Sequence, residues 1–144
     1  MAKRDPRPRV VAVLNSNEDL VRLIREVLHG EGYLTIAHHI KDLRDGNTDM
    51  TRFLEDRDPP VILFDLAPPF TINWQFFQVF KRHPTMKGRH VILTTNNAAA
   101  LNQVCGVDAL QIVGQDEDLR QLLAEIKRAF EPKGSARRLH ALRA

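Results

Sequence analysis

The sequence predicts one α/β domain, a doubly wound parallel sheet of five strands alternating with five helices. Three observations carry this. Residues 10–14 and 61–66 are continuous apolar runs rich in β-branched residues, the pattern of strands covered on both faces. Between such runs lie segments with apolar residues at helical spacing, and the alternation persists from residue 10 to residue 130. Strands and helices alternating in this way pack as a parallel sheet with helices on both sides and right-handed crossovers.

A chain of 144 residues is long enough to bury a proper core and too short for a second domain of that kind. Its 43% hydrophobic and 27% charged residues exclude a disordered or fibrous class. No apolar run reaches the length of a membrane span, and the charged N-terminus lacks the apolar core of a signal peptide, so a cytoplasmic protein is expected. The single cysteine, Cys105, allows no internal disulfide and suits a reducing compartment as a buried structural thiol. Net charge is +3, but it is unevenly placed. Residues 1–9 and residues 131–144 each hold four basic residues and one acidic, leaving 13 basic against 16 acidic between them. The chain therefore divides into a basic arm (1–9), a mildly acidic domain (10–130) and a basic tail or linker (131–144).

In chain order, the strand at residues 10–14 runs into Asn15-Ser16-Asn17-Glu18-Asp19. Ser16 or Asn17 caps the first helix, with two acids in the turn where the helix dipole favours them. Leu20, Leu23, Ile24, Val27 and Leu28 form its apolar face, and Gly30 and Gly32 mark its stop. Residues 33–37 are the second strand. Ile40, Leu43, Met50, Phe53 and Leu54 have helical spacing that Asp45-Gly46-Asn47 interrupts, predicting a loop and then a short helix to Glu55. The strand ending at Asp65 and its Pro68-Pro69 turn lead to a helix over residues 73–82 that buries Phe76, Phe77 and Phe80 and is ended by Pro84. Residues 90–95 form a further buried strand, residues 98–105 a short helix closed by Gly106, and residues 109–113 the last strand. Asp116, Glu117 and Asp118 open the final helix, whose apolar stripe is Leu119, Leu122, Leu123, Ile126 and Phe130.

Asp65 is the candidate functional residue. A carboxylate seldom ends a buried strand, and in open α/β sheets ligands bind at the carboxyl ends of the strands; a cap on the following turn is the plainer alternative. Phe70 and Trp74, just beyond, are either core or a partner-binding patch. His38-His39 lacks companions at metal-ligand spacing, Ser16 and Cys105 lack partners for nucleophilic catalysis, and no glycine-rich phosphate loop is present.

These pieces together resemble the receiver domain of bacterial response regulators over residues 10–130. The resemblance rests on the apolar first strand and its capped helix, Glu31-Gly32-Tyr33, Leu63-Phe64-Asp65-Leu66 with Pro69 four residues past the Asp, Val91-Ile92-Leu93-Thr94-Thr95, and Cys105-Gly106-Val107-Asp108. It implies a flavodoxin-like sheet of order 2-1-3-4-5 in which Asp65 is the phosphoacceptor position for a histidine kinase and Thr95 the hydroxyl that senses the phosphoryl group. It also implies an adjacent acidic pair that helps hold Mg²⁺ beside the acceptor, and a lysine at the end of the fifth strand. Here the paired positions are Asn15 and Ser16, and residues 108–118 contain no Lys or Arg. With Asp65 alone, Mg²⁺ binding is expected to be weak or absent, and transfer of a phosphoryl group loses both cationic supports.

The expectation is an atypical receiver, not an enzyme and without a cofactor. It would act in two-component signalling through contacts with a histidine kinase or an output protein, independently of phosphorylation, with a conventional phosphoacceptor at Asp65 as the alternative. In the family the fourth helix, fifth strand and fifth helix commonly carry dimerisation, so a homodimer is compatible. The basic tails offer nucleic-acid binding as a further alternative, disfavoured because neither interleaved aromatics nor a recognition helix accompanies them. No membrane contact is expected.

Overall fold

The computed structural model describes residues 9–46 and 48–131. Apart from Arg9 and Glu131, the basic arm and the tail lie outside them. Five parallel strands, β1 (Val10–Leu14), β2 (Leu34–His38), β3 (Val61–Asp65), β4 (His90–Thr95) and β5 (Leu110–Gln111), form one sheet in the order β2-β1-β3-β4-β5. The described helices are α1 (Glu18–Gly30), α2 (Ile40–Arg44), α3 (Met50–Arg57), α4 (Phe70–Arg82), α5 (Ala98–Cys105) and α6 (Asp116–Phe130), with a 3-10 turn at Pro84–Met86. The fold and the sheet order are those expected.

β1 and β3 are buried at every position, which is why they read as unbroken apolar runs. Alternate side chains go to opposite sides of the sheet. Ala12, Leu14, Ile62 and Phe64 join Leu54, Phe77, Phe80 and Leu101 in one core, while Val11, Val13, Val61 and Leu63 join Ile24, Leu28, Leu122 and Ile126 in the other. Phe64 is the hub of the first, with ring centroids of Phe77 and Phe80 at 4.8 and 5.2 Å.

Three boundaries depart from the expected ones. The crossover from β2 to β3 holds two short helices where one was expected, making six described helices in all. Ile40 and Leu43 are both buried, which gives α2 an apolar edge, and the His39 ring accepts from the Lys41 N–H at its start. α2 ends at Arg44, and Asp49 caps α3 by accepting from the Arg52 N–H at 3.1 Å. α4 begins at Phe70, three residues earlier than expected, because Pro69 stands at its N-cap with extended backbone and the helix follows at once. β5 shrinks to two residues since only Leu110 and Gln111 keep pairing with β4. Of the two candidate caps for α1, Asn17 is used, its side chain accepting from the Leu20 N–H at 3.1 Å.

Two features close the amino-end edge of the sheet. The Arg9 guanidinium lies 4.5 Å over the Tyr33 ring, Tyr33 packs on Phe130 at 5.4 Å, and Lys127 pairs with Glu31 at 3.0 Å. Arg89, its side chain 11% exposed, donates to Asp58 (2.6 Å) and to the carbonyls of Thr85 (2.7 Å), Pro59 (3.0 Å) and Leu54 (3.3 Å). One guanidinium thereby ties the end of α3, the entry to β3 and the 3-10 turn. No described helix is long and apolar enough to cross a membrane.

Replacing Arg89 by Ala leaves three carbonyls and a carboxylate without their donor, so unfolding in urea should show a loss of roughly 2–4 kcal/mol with the m-value unchanged. Arg89→Lys should recover less than half of it, because an ammonium cannot reproduce the fork.

Candidate functional site

The carboxyl edge of β1, β3 and β4 collects the residues singled out in the sequence. Register sets their neighbours. Asp65 is paired with Thr94, and Leu14 with Phe64, so Asn15 leaves β1 level with Asp65. Asp65 (7% exposed), Asn15 (4%), Thr94 (2%) and Thr95 (0%) are all buried, whereas Ser16 is exposed.

Thr94, and not Thr95, meets the carboxylate. Its Oγ1 donates to Asp65 Oδ1 at 2.8 Å. Side chains alternate along a strand, so only one of two consecutive threonines can share the face of Asp65. Thr95 turns the other way and donates to the Leu66 carbonyl at 2.7 Å, while its hydroxyl also lies 3.4 Å from the Asn97 N–H. Asn15 is likewise occupied, its Oδ1 accepting from the Asn17 N–H at 2.9 Å. The structure thus brings Asp65 beside Thr94 and level with Asn15, and commits the hydroxyl of Thr95 elsewhere.

Burial pushes the Asp65 carboxyl up from 3.8 to about 6, while the hydrogen bond from Thr94 pulls the other way. The donors at this edge are one carboxylate, one amide and two hydroxyls. Among the described residues no three His, Cys, Asp or Glu side chains are grouped together. Mg²⁺ is held by one or two carboxylates together with waters and phosphate oxygens, and at this edge the Asp65 carboxylate is buried and stands level with the neutral Asn15. Glu18 and Asp19 remain exposed in the first turn of α1, Asp19 at 3.7 Å from Arg22. His38 stacks edge-on against Phe53 at 4.4 Å.

Nothing local in the chain marks the second group that stands behind the site. Asn73, 7% exposed on α4, donates to the Ala67 carbonyl at 2.7 Å and accepts from Arg44 at 3.0 Å. The loop after Asp65, which contains a cis Pro68–Pro69 bond, is thereby tied to α4 and α2. An asparagine in a helix and an arginine in an irregular segment look like solvated residues until the fold places them together. Phe70 and Trp74 are half-buried on the first core, Trp74 stacked on Phe77 at 5.6 Å. The exposed large apolar residues of α4 are instead Ile72 and Val79.

No family model matches the sequence, and no curated protein does. Solved structures do. A sensor protein from Polaromonas sp. JS666 superposes with a TM-score of 0.60 at 16% identity, covering 87% of this chain and 97% of that one. The chain has the fold of response-regulator receiver domains. A response regulator from Thermotoga maritima gives 0.60 at 13% identity over 86% of this chain and 98% of its own. A chemotaxis protein of Vibrio cholerae gives 0.58 at 14% over 83% and 98%. This receiver fold places Asp65 at the carboxyl end of the central strand, as expected.

Because the folded value of Asp65 lies above the unfolded one, its protonated form contributes stability that is complete below about pH 4 and lost as pH rises through about 6. Asp65→Asn should therefore stabilise the fold by up to about 3 kcal/mol at pH 8 and hardly at all at pH 4, read from urea unfolding at both values. Thr94→Val should push the Asp65 titration, followed by carboxyl NMR shifts, higher still.

Proposed function

We propose that this chain is an atypical receiver that works in two-component signalling as a protein-binding domain, without phosphorylation of Asp65, without a bound metal and without a reaction of its own. The observation that carries the proposal is the company Asp65 keeps: one hydroxyl donor, a neutral Asn15 already engaged with its own turn, and no Lys or Arg in residues 108–118. Phosphoryl transfer depends on fixed positive charge around the transferred group, and this edge supplies none of the two cations that the receiver pattern provides. The hydroxyl beside Asp65 is that of Thr94; Thr95, to which the resemblance assigned that place, donates to the Leu66 carbonyl instead. What the fold retains is a rigid sheet with α-helical surfaces, suited to contacts with a histidine kinase or an output protein.

Incubation with Mg²⁺ and a small acyl phosphate, followed by intact-mass measurement beside Asp65→Ala, tests the proposal. The expected result is no phosphoryl adduct on either chain and no change in Trp74 fluorescence as Mg²⁺ is added. An adduct that depends on Asp65 would establish the conventional phosphoacceptor in its place.

A further inference from the structure

We propose that the open edge of β2 pairs with the β2 edge of a second copy of this chain, antiparallel, about a two-fold axis at Ile36. This rests on the protein-contact reading above and names one surface for it. β2 has a partner strand, β1, on one side only. The Leu34 N–H donates to the Arg9 carbonyl at 3.0 Å and the Asn15 N–H to the His38 carbonyl at 3.3 Å, so Leu34, Ile36 and His38 turn their backbone groups towards β1. Thr35 and Ala37 turn theirs outward, because alternate residues of a parallel strand face opposite neighbours. The edge carries no proline and no lysine, two of the devices that keep edges from pairing.

Three side chains line the α3 face of that edge. Leu34 is 50% exposed, Ile36 is half-buried, and His38 packs on Phe53. Beside them a groove of about 450 Å³ runs between β2 and α3, with Asp49, Arg52, Asp56 and Arg57 among its walls. Arg52 and Asp56 face each other at 3.7 Å, while Arg57 in the last turn of α3 forms no ion pair among the described residues. A two-fold at Ile36 sets Thr35 opposite Ala37 as a hydrogen-bonded pair, twice, and Ile36 opposite its own copy. It covers the exposed Leu34 with His38 of the second copy, and it inverts the groove, so that the Arg57 end of one α3 lies along the Asp49 end of the other. Two arginines and two aspartates make the groove complementary to itself, where a wholly acidic or wholly basic peptide would meet like charges.

Sedimentation equilibrium of the full chain over a concentration series tests the proposal. The expected result is a monomer–dimer equilibrium. Ala37→Pro removes an outward N–H while keeping extended backbone, and should weaken association at least about tenfold. Arg57→Glu, an exposed helical position that folds whether or not the proline variant does, should weaken it several-fold, with less effect at high salt. Ile36→Cys should give a disulfide-linked dimer on mild oxidation, because the two-fold brings those Cα atoms to about 4.5 Å, and the unaltered chain with Cys105 should not. Val113→Glu, at the exposed residue past β5, should leave the equilibrium unchanged. A chain monomeric at every concentration overturns the proposal, as does a dimer lost in Val113→Glu but kept in Ala37→Pro. Neither outcome touches the phosphodonor result, so the reading of Asp65 stands or falls separately.

Discussion

A carboxyl group at the end of a strand covered on both faces must find a partner or surrender its charge, and Asp65 does part of each. β3 is the centre of the sheet and pairs on both sides, so the level at which it ends sets where every group around it can stand. The pairing with β4 brings Thr94 to the carboxylate; the chain beyond is then bound back by the Leu66 N–H to the Thr94 carbonyl at 2.7 Å and by Thr95 to the Leu66 carbonyl. Two consecutive threonines thus lock both faces of one strand end. Asn73 and Arg44 extend the lock to the loop and its flanking helices.

That economy explains how the edge holds together without opposing charges. In a site built around several carboxylates, mutual repulsion has to be neutralised by a cation, and the apo state is strained. Here Asn15 and Thr94 are neutral and hydrogen-bonded locally, so the main electrostatic cost at Asp65 is its own desolvation, which a proton relieves. The surrounding loop can therefore be fixed by hydrogen bonds alone.

The fold was legible because its signals are repetitive. Doubly buried strands announce themselves as apolar runs, as Val10–Leu14 and Val61–Asp65 do, and Asn17, Gly30 and Gly106 punctuate the helices around them. The crossover between β2 and β3 was less legible because its two helices are short, held by single buried pairs such as Ile40 with Leu43 and by side-chain caps that any polar residue could mimic. At the site, Asp65 stood out as a charge in an apolar run, whereas the choice between Thr94 and Thr95 depends on cross-strand register, which spacing along one strand does not encode. Arg44 and Asn73 are 29 residues apart in sequence. Nothing local relates them. The same holds for Arg89, whose four acceptors come from three segments brought together only by the sheet.

The stacking of Arg9, Tyr33 and Phe130 at the amino-end edge has an architectural consequence. It places the entry to β1 and the exit from α6 at one corner of the domain, on the side away from Asp65. A unit whose two ends leave together can be spliced into a surface loop of another protein without prising that loop apart, and its own ends can be joined and reopened elsewhere by circular permutation. The receiver unit is thus a module that can be carried by its heel, with the Asp65 edge left facing outward.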